Sequence, residues 1–167
     1  MEYDQRQAWL ENAMNQWEAP LLRVCFAYLG DRALAEDAVQ ETFLKAWKNY
    51  SRFRGGSDEK TWLMRIAINT CKDVRKSAWF RHTDRSAALD ALPPGSVPFS
   101  DGDDTVTRAV MALPEKLKQA ALLRWFQDLS LDETAKALRL PRSTVYHRLQ
   151  KAQSLLKDAL EEWYHAD

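Results

Sequence analysis

Residues 130–152 read Ser-Leu-Asp-Glu-Thr-Ala-Lys-Ala-Leu-Arg-Leu-Pro-Arg-Ser-Thr-Val-Tyr-His-Arg-Leu-Gln-Lys-Ala, and their spacing decides the fold. Ser130 and Glu133 stand at the spacing of a capping box, where hydroxyl and carboxylate each satisfy a backbone N–H that a helix start leaves unpaired. Thr134, Ala135 and Leu138 then recur at helical steps and mark the inward side of a short helix. Arg139-Leu140-Pro141 interrupts it, and Pro is well tolerated at a helix start. A second helix follows, with Val145, Leu149, Ala152, Leu156 and Leu160 as one apolar stripe. At about 100° per residue, Ser143, His147, Gln150, Lys151 and Ser154 fall opposite that stripe, flanked by Tyr146 and Arg148. A capped helix, a tight turn and a second helix with no acid from Pro141 to Lys157 form the pattern of a helix-turn-helix. The competing reading is an ordinary helical hairpin with a polar outer face, and the coincidence of cap, turn and charge favours the DNA-reading one.

Upstream, the same periodicity recurs. Asp31, after Gly30, is placed to cap a helix whose inner positions are Ala35, Val39, Phe43, Ala46 and Trp47. Its opposite face carries Asp37, Gln40, Glu41 and Leu44. After Gly55-Gly56, Ser57 is placed to cap a further helix with Asp58 and Glu59 in its first turn, favourable for the helix dipole. The inner stripe there is Leu63, Ile66, Ala67, Thr70 and Val74, and the outer one Arg65, Asn69, Lys72 and Lys76. No stretch alternates as a strand does, so the expected fold is all-α.

Pro93-Pro94-Gly95, Pro98 and Asp101-Gly102-Asp103-Asp104 break every periodic pattern. Residues 79–104 therefore read as a flexible linker between two small helical domains, 1–78 and 105–167. The 167 residues carry 24 Lys and Arg against 24 Asp and Glu, which at first argues against nucleic acid. Distribution matters more than the sum. Lys45 to Arg54 holds four bases and no acid, Lys60 to Lys76 five bases against Asp73, and Arg142 to Lys157 is again acid-free. Cys25 and Cys71 lie outside any CxxC pattern and read as two buried, reduced thiols. No apolar run is long enough to span a membrane, and no secretory leader is expected at the N-terminus. A Gly-rich phosphate loop, a metal-ligand cluster and a nucleophile–base motif are all missing from the sequence, so neither an enzyme nor a cofactor is expected.

The run Asp31-Arg32-Ala33-Leu34-Ala35-Glu36-Asp37-Ala38-Val39-Gln40-Glu41-Thr42-Phe43-Leu44-Lys45-Ala46-Trp47 resembles region 2 of extracytoplasmic-function (group IV) sigma factors of the sigma-70 family. The likeness continues through Thr61 to Asn69 and Asp73 to Lys76. Ala112-Leu113-Pro114 and Ser130 to Ala152 resemble region 4. The resemblance implies a transcription-initiation factor that binds core RNA polymerase, directs it to promoters and helps to open the DNA. By that likeness, Asp37, Gln40, Glu41 and Leu44 dock on the polymerase. Phe53, Ser57, Lys60, Trp62, Arg65, Asn69, Lys72 and Lys76 contact the melted non-template strand of the minus-ten element, with Phe53 to Lys60 as the loop that takes a flipped base. Trp62 serves equally well as core packing. Arg142, Ser143, Thr144, Tyr146, His147, Arg148 and Lys151 read the minus-thirty-five element as duplex. The family further implies regulation by an anti-sigma factor and a cytoplasmic protein, held in some members at the inner face of the membrane.

This chain departs from the family where Arg139 replaces a common Gly in the turn, Pro141 a Ser, and Tyr146-His147 a Lys-Ser pair. A non-Gly residue in a left-handed turn costs about 1 kcal/mol, unless the turn takes another shape. The alternative to a sigma factor is a helix-turn-helix regulator that binds duplex DNA without directing initiation. Such a regulator has no need of a polymerase-docking face or of a second, Trp-bearing basic helix. A helical adaptor with solvated basic faces is a further alternative, and promoter affinity tells against it.

Overall fold

The computed structural model describes residues 2–53, 58–81 and 104–165. All regular structure among them is helical, in the order α1 (Glu2–Leu29), α2 (Arg32–Lys48), a 3₁₀ turn (Tyr50–Arg52), α3 (Glu59–Arg81), α4 (Asp104–Met111), α5 (Glu115–Ala121) running into a π-helical turn (Leu122–Phe126), α6 (Leu131–Leu138) and α7 (Arg142–His165).

Local chemistry sets the boundaries. Gly30, at φ 71, ends α1 in the left-handed region that glycine enters freely. Asp31 then caps α2 by accepting the Leu34 N–H at 2.9 Å. The cap of α3 falls one residue later than the sequence suggested. Asp58 accepts the Thr61 N–H at 2.7 Å, and hydrogen bonding from Thr61 holds the Asp58 carboxyl below its ordinary range. Ser57 lies outside the described residues. Helix α3 continues to Arg81, so residues 79–81 belong to its last turn, and the rest of the expected linker up to residue 103 lies outside the described residues.

Helices α1, α2 and α3 pack on one another, while α4, α5 and α6 pack around α7. One continuous cluster of buried apolar side chains joins the two groups, taking in Leu21, Phe26, Phe43, Met64 and Ile68 on one side and Val110, Leu117, Leu122 and Leu129 on the other. A smaller cluster of Ala120, Ala135 and Val145, flanked by Leu131, Leu138, Leu140 and Leu149, holds the helix-turn-helix. Cys25 and Cys71 are free thiols buried together in the main core. The hydrogen bond between them, followed by burial, pushes the Cys71 thiol well above its usual range.

Candidate nucleic-acid interface

The helix-turn-helix is built as its sequence indicates. Glu133 N–H donates to the Ser130 hydroxyl at 3.1 Å, and Ser130 N–H to the Glu133 carboxylate at 2.9 Å, closing the capping box. Helix α6 ends at Arg139, which takes up φ 55, ψ 46. There the Arg139 N–H bonds the Lys136 carbonyl at 3.2 Å and the Leu140 N–H the Ala135 carbonyl at 3.0 Å. Those paired bonds define a Schellman ending, with Leu140 and Ala135 in one apolar cluster. The turn keeps the left-handed shape despite the arginine.

Helix α7 buries Val145 and Ala152 and leaves Arg142, Ser143, Tyr146, His147, Gln150 and Lys151 exposed, with Thr144 and Arg148 half-buried. Tyr146 and His147 meet edge to face at 5.7 Å, and Gln150 donates to the Tyr146 hydroxyl at 2.9 Å. Gln150 therefore belongs beside the residues named from the family pattern, in a position that the helical wheel had already given it. Arg142 reaches Asp132 at 3.4 Å, an exposed pair of little energetic weight that a phosphate can displace.

The second face begins at the end of α2. Phe53 stacks on Trp62 with centroids 4.9 Å apart, and Trp9 lies against Trp62 at 5.9 Å and Tyr50 at 5.1 Å. Trp62 is half-buried in this cluster, so it packs and remains accessible at once. Indole N–H groups of Trp9 and Trp17 donate to the two Glu59 oxygens at 2.5 and 3.0 Å, fixing the first turn of α3 on α1. Trp9, Trp17 and Tyr50 were not among the residues singled out from the sequence. Further along α3, Asn69, Lys72 and Lys76 are exposed, and Arg65 is half-buried.

The third face is on α2, where Asp37, Gln40, Glu41 and Leu44 are all exposed. Leu44 is 45% exposed among polar neighbours, although the opposite positions Ala35, Val39, Phe43 and Ala46 are buried.

These surfaces do not stand apart. Lys60 Nζ donates to the Gln127 carbonyl, Arg65 Nη2 to the Lys136 carbonyl at 2.8 Å, and Thr61 Oγ1 to Glu133 at 3.4 Å. Beyond them a cleft of about 1020 Å³ is lined by Asn69, Lys72, Asp73, Arg75 and Lys76 of α3 and by Glu115, Lys116, Gln119, Leu138, Leu140 and Arg148 opposite.

Residues 14–81 match the family model described as Sigma-70 region 2, and residues 103–156 that of Sigma-70, region 4. The sigma-E factor of Haemophilus influenzae is 31% identical over 139 residues, covering 75% of this chain and 74% of that protein. This chain is an extracytoplasmic-function sigma factor of the sigma-70 family. The sigma-H factor of Pseudomonas aeruginosa is 29% identical over 160 residues, 87% of this chain and 83% of that one. Among solved structures, RpoE of Bartonella quintana in complex with the anti-sigma factor NepR superposes with a TM-score of 0.71 at 22% identity, covering 96% of this sigma factor and 97% of that chain. CnrH in complex with the cytosolic domain of CnrY gives 0.69 at 21%, covering 93% and 89%. At those identities the likeness carries the fold. Within this sigma factor, Trp9 and Arg6 precede the matched segment, yet Trp9 supplies a wall of the aromatic cluster and the Arg6 guanidinium lies 5.2 Å from the Trp47 ring.

Proposed function

We propose that this sigma factor docks on core RNA polymerase through Asp37, Gln40, Glu41 and Leu44 and reads promoter DNA at two places. The observation that carries this reading is the coexistence of an acid-free recognition face on α7 with a separate acidic, leucine-bearing face on α2. A duplex-reading helix needs small and polar side chains at base edges and cations at phosphates. Ser143, Thr144, Tyr146 and His147 supply the first, and Arg142, Arg148 and Lys151 the second. Single strands are held by stacking on aromatic planes along a cationic track. Phe53 and Trp62, continued by Lys60, Arg65, Asn69, Lys72 and Lys76, suit that role, with the loop through Ser57 as the receiver of a flipped base.

The working division is a polymerase- and minus-ten-binding unit that runs to the end of α3 at Arg81, a linker over 82–103, and a minus-thirty-five-binding unit that starts with α4 at Asp104. The chain acts by binding and carries out no bond chemistry of its own. It works in the cytoplasm, and no helix among the described residues is long and apolar enough to cross a membrane. RpoE of Bartonella quintana was solved with the anti-sigma factor NepR, which supports control of this sigma factor by an anti-sigma factor. Run-off transcription with purified bacterial core polymerase tests the reading. Defined start sites that depend on this chain are expected. Duplex binding without start sites would return it to an ordinary helix-turn-helix regulator.

A further inference from the structure

Two cations on the walls of the cleft, Arg75 and Lys116, belong to neither DNA-reading face. Around them the lining has the chemistry of a small-molecule site. We propose that the cleft binds a small anion carrying a chain of phosphates, a nucleoside polyphosphate. The proposal needs only the cleft and its lining, and does not rest on the promoter reading.

The charges point to the phosphates. Lys72, Arg75 and Lys76 recur at three- and four-residue steps, so they share one side of α3. Lys116 of α5 and Arg148 of α7 stand on the far wall. Among the described residues, none of these five cations forms an ion pair. The two acids of the lining are engaged elsewhere. Asp73 pairs with Lys45 at 3.8 Å, and Glu115 accepts the Tyr28 hydroxyl. A cleft lined by one sign of charge focuses the field within it. Like charges gathered there repel one another, and an anion between them turns that repulsion into attraction.

Size and spread select the length of the anion. The volume of about 1020 Å³ lies at the upper end of the roughly 300–1,000 Å³ typical of ligand sites. One phosphate meets one or two of these cations. Groups on both walls and along α3 call for several phosphates in a row, with guanidinium forks and ammonium point charges alternating along them.

The rest of the lining suits an organic group. Leu138 and Leu140, both half-buried, give an apolar ledge, and Asn69 and Gln119 bring amides. Gln119 is only 4% exposed, and its bond to the Tyr28 hydroxyl at 2.9 Å holds it in place before any ligand arrives. An apolar surface with a few fixed polar groups orients a flat heterocycle, whereas an inorganic phosphate chain has no use for it.

Calorimetric titration of the full chain, at fixed ionic strength and without magnesium, uses ATP, inorganic tripolyphosphate and adenosine as probes. One ATP per chain is expected, bound at least fivefold more tightly than tripolyphosphate, with no binding of adenosine. ATP should also raise the thermal midpoint, because it binds only the folded chain. Arg75→Ala and Lys116→Ala, one from each wall, should each weaken ATP at least fivefold. Lys116 is exposed, so its variant keeps the test alive if Arg75→Ala unfolds, which far-UV circular dichroism reports. Lys48→Ala and Lys157→Ala, at exposed positions outside the cleft, should leave ATP binding unchanged. Equal affinity for ATP and tripolyphosphate overturns the nucleoside. Equal losses in the outside variants mark diffuse attraction to basic helices and overturn the cleft as the site, as does a wild-type chain that ATP does not saturate. Run-off transcription reports on the promoter reading separately.

Discussion

Leu44→Ala isolates the contribution of a single side chain to polymerase docking. Fully burying a leucine side chain stabilises a complex by roughly 1.5–3 kcal/mol. Leu44 is already a little over half covered, with 45% of its surface open. The fraction left to bury on docking is therefore worth about 1 kcal/mol, which is roughly a fivefold change in Kd. Because the exposed face of α2 contributes nothing to the core, unfolding should change by less than about 0.5 kcal/mol, as for other surface substitutions. Fluorescence anisotropy of the dye-labelled chain titrated with core polymerase reads the first quantity, and urea unfolding the second. Leu44→Asp should cost more, since it places a charge where an apolar contact forms. Wild-type affinity for both variants would refute the docking face, and a large loss of stability would show instead that Leu44 is a packing residue.

Lys151→Ala, at an exposed position of α7, should reduce by about 1 the slope of log affinity against log salt for holoenzyme on a mapped promoter duplex. An unchanged slope removes Lys151 from the phosphate contacts. His147→Ala, by contrast, should alter the preferred minus-thirty-five sequence while leaving that slope alone, as selection from a randomised duplex library will show. Burial, followed by the hydrogen bond to Glu115, raises the Tyr28 hydroxyl above its ordinary 10.0. The unfolded chain then loses this proton first, so stability is full below pH 10 and falls above it by about 1.4 kcal/mol per pH unit. Thermal melts from pH 8 to 11 should show a shallower decline in Tyr28→Phe than in the wild type, and parallel curves would contradict the burial. Arg139→Gly removes left-handed strain of about 1 kcal/mol but restores chain entropy worth roughly 0.5–1 kcal/mol, so urea stability should change by less than 1 kcal/mol. A loss of several kcal/mol would mean that the arginine makes a contact its turn geometry does not suggest.

What could be read from the sequence was what is local. Ser130 and Glu133 are three residues apart, and the capping box needs nothing else. The exposed face of α2 follows from helical period alone, as does the exposed face of α7. Helix α3 was read less well. Leu63, Ala67 and Thr70 are buried as its stripe indicated, but so are Met64, Ile68 and Cys71. The reason is that α3 is covered from two sides, by α1 and α2 and again by α6, and one amphipathic stripe cannot report a second partner. The bonds from Trp9 and Trp17 to Glu59 span 50 and 42 positions, and that from Gln119 to Tyr28 spans 91. No periodicity encodes such distances, so the aromatic wall and the contact between the two halves emerge only in three dimensions. Asp58 displaced Ser57 as the cap of α3 for a smaller reason. Both are good cap residues one position apart, and residue type alone does not choose between them.

The zero net charge is resolved by where the acids go. Asp31 and Asp58 cap helices, and Glu133 closes the capping box. Glu59 accepts two indoles and Glu115 a buried phenol. Glu36 pairs with Arg32 on its own helix. Asp37 and Glu41 stand on the proposed polymerase face. These acids serve as caps and acceptors or stand on the proposed docking face, and α7 from Arg142 to Lys157 has none to neutralise it. Local field, rather than net charge, sets the attraction of phosphate. The cleft between the halves sets Lys72, Arg75 and Lys76 opposite Lys116 and Arg148, with Asp73 and Glu115 as the acids on its walls, so its lining is net positive although the chain as a whole is neutral.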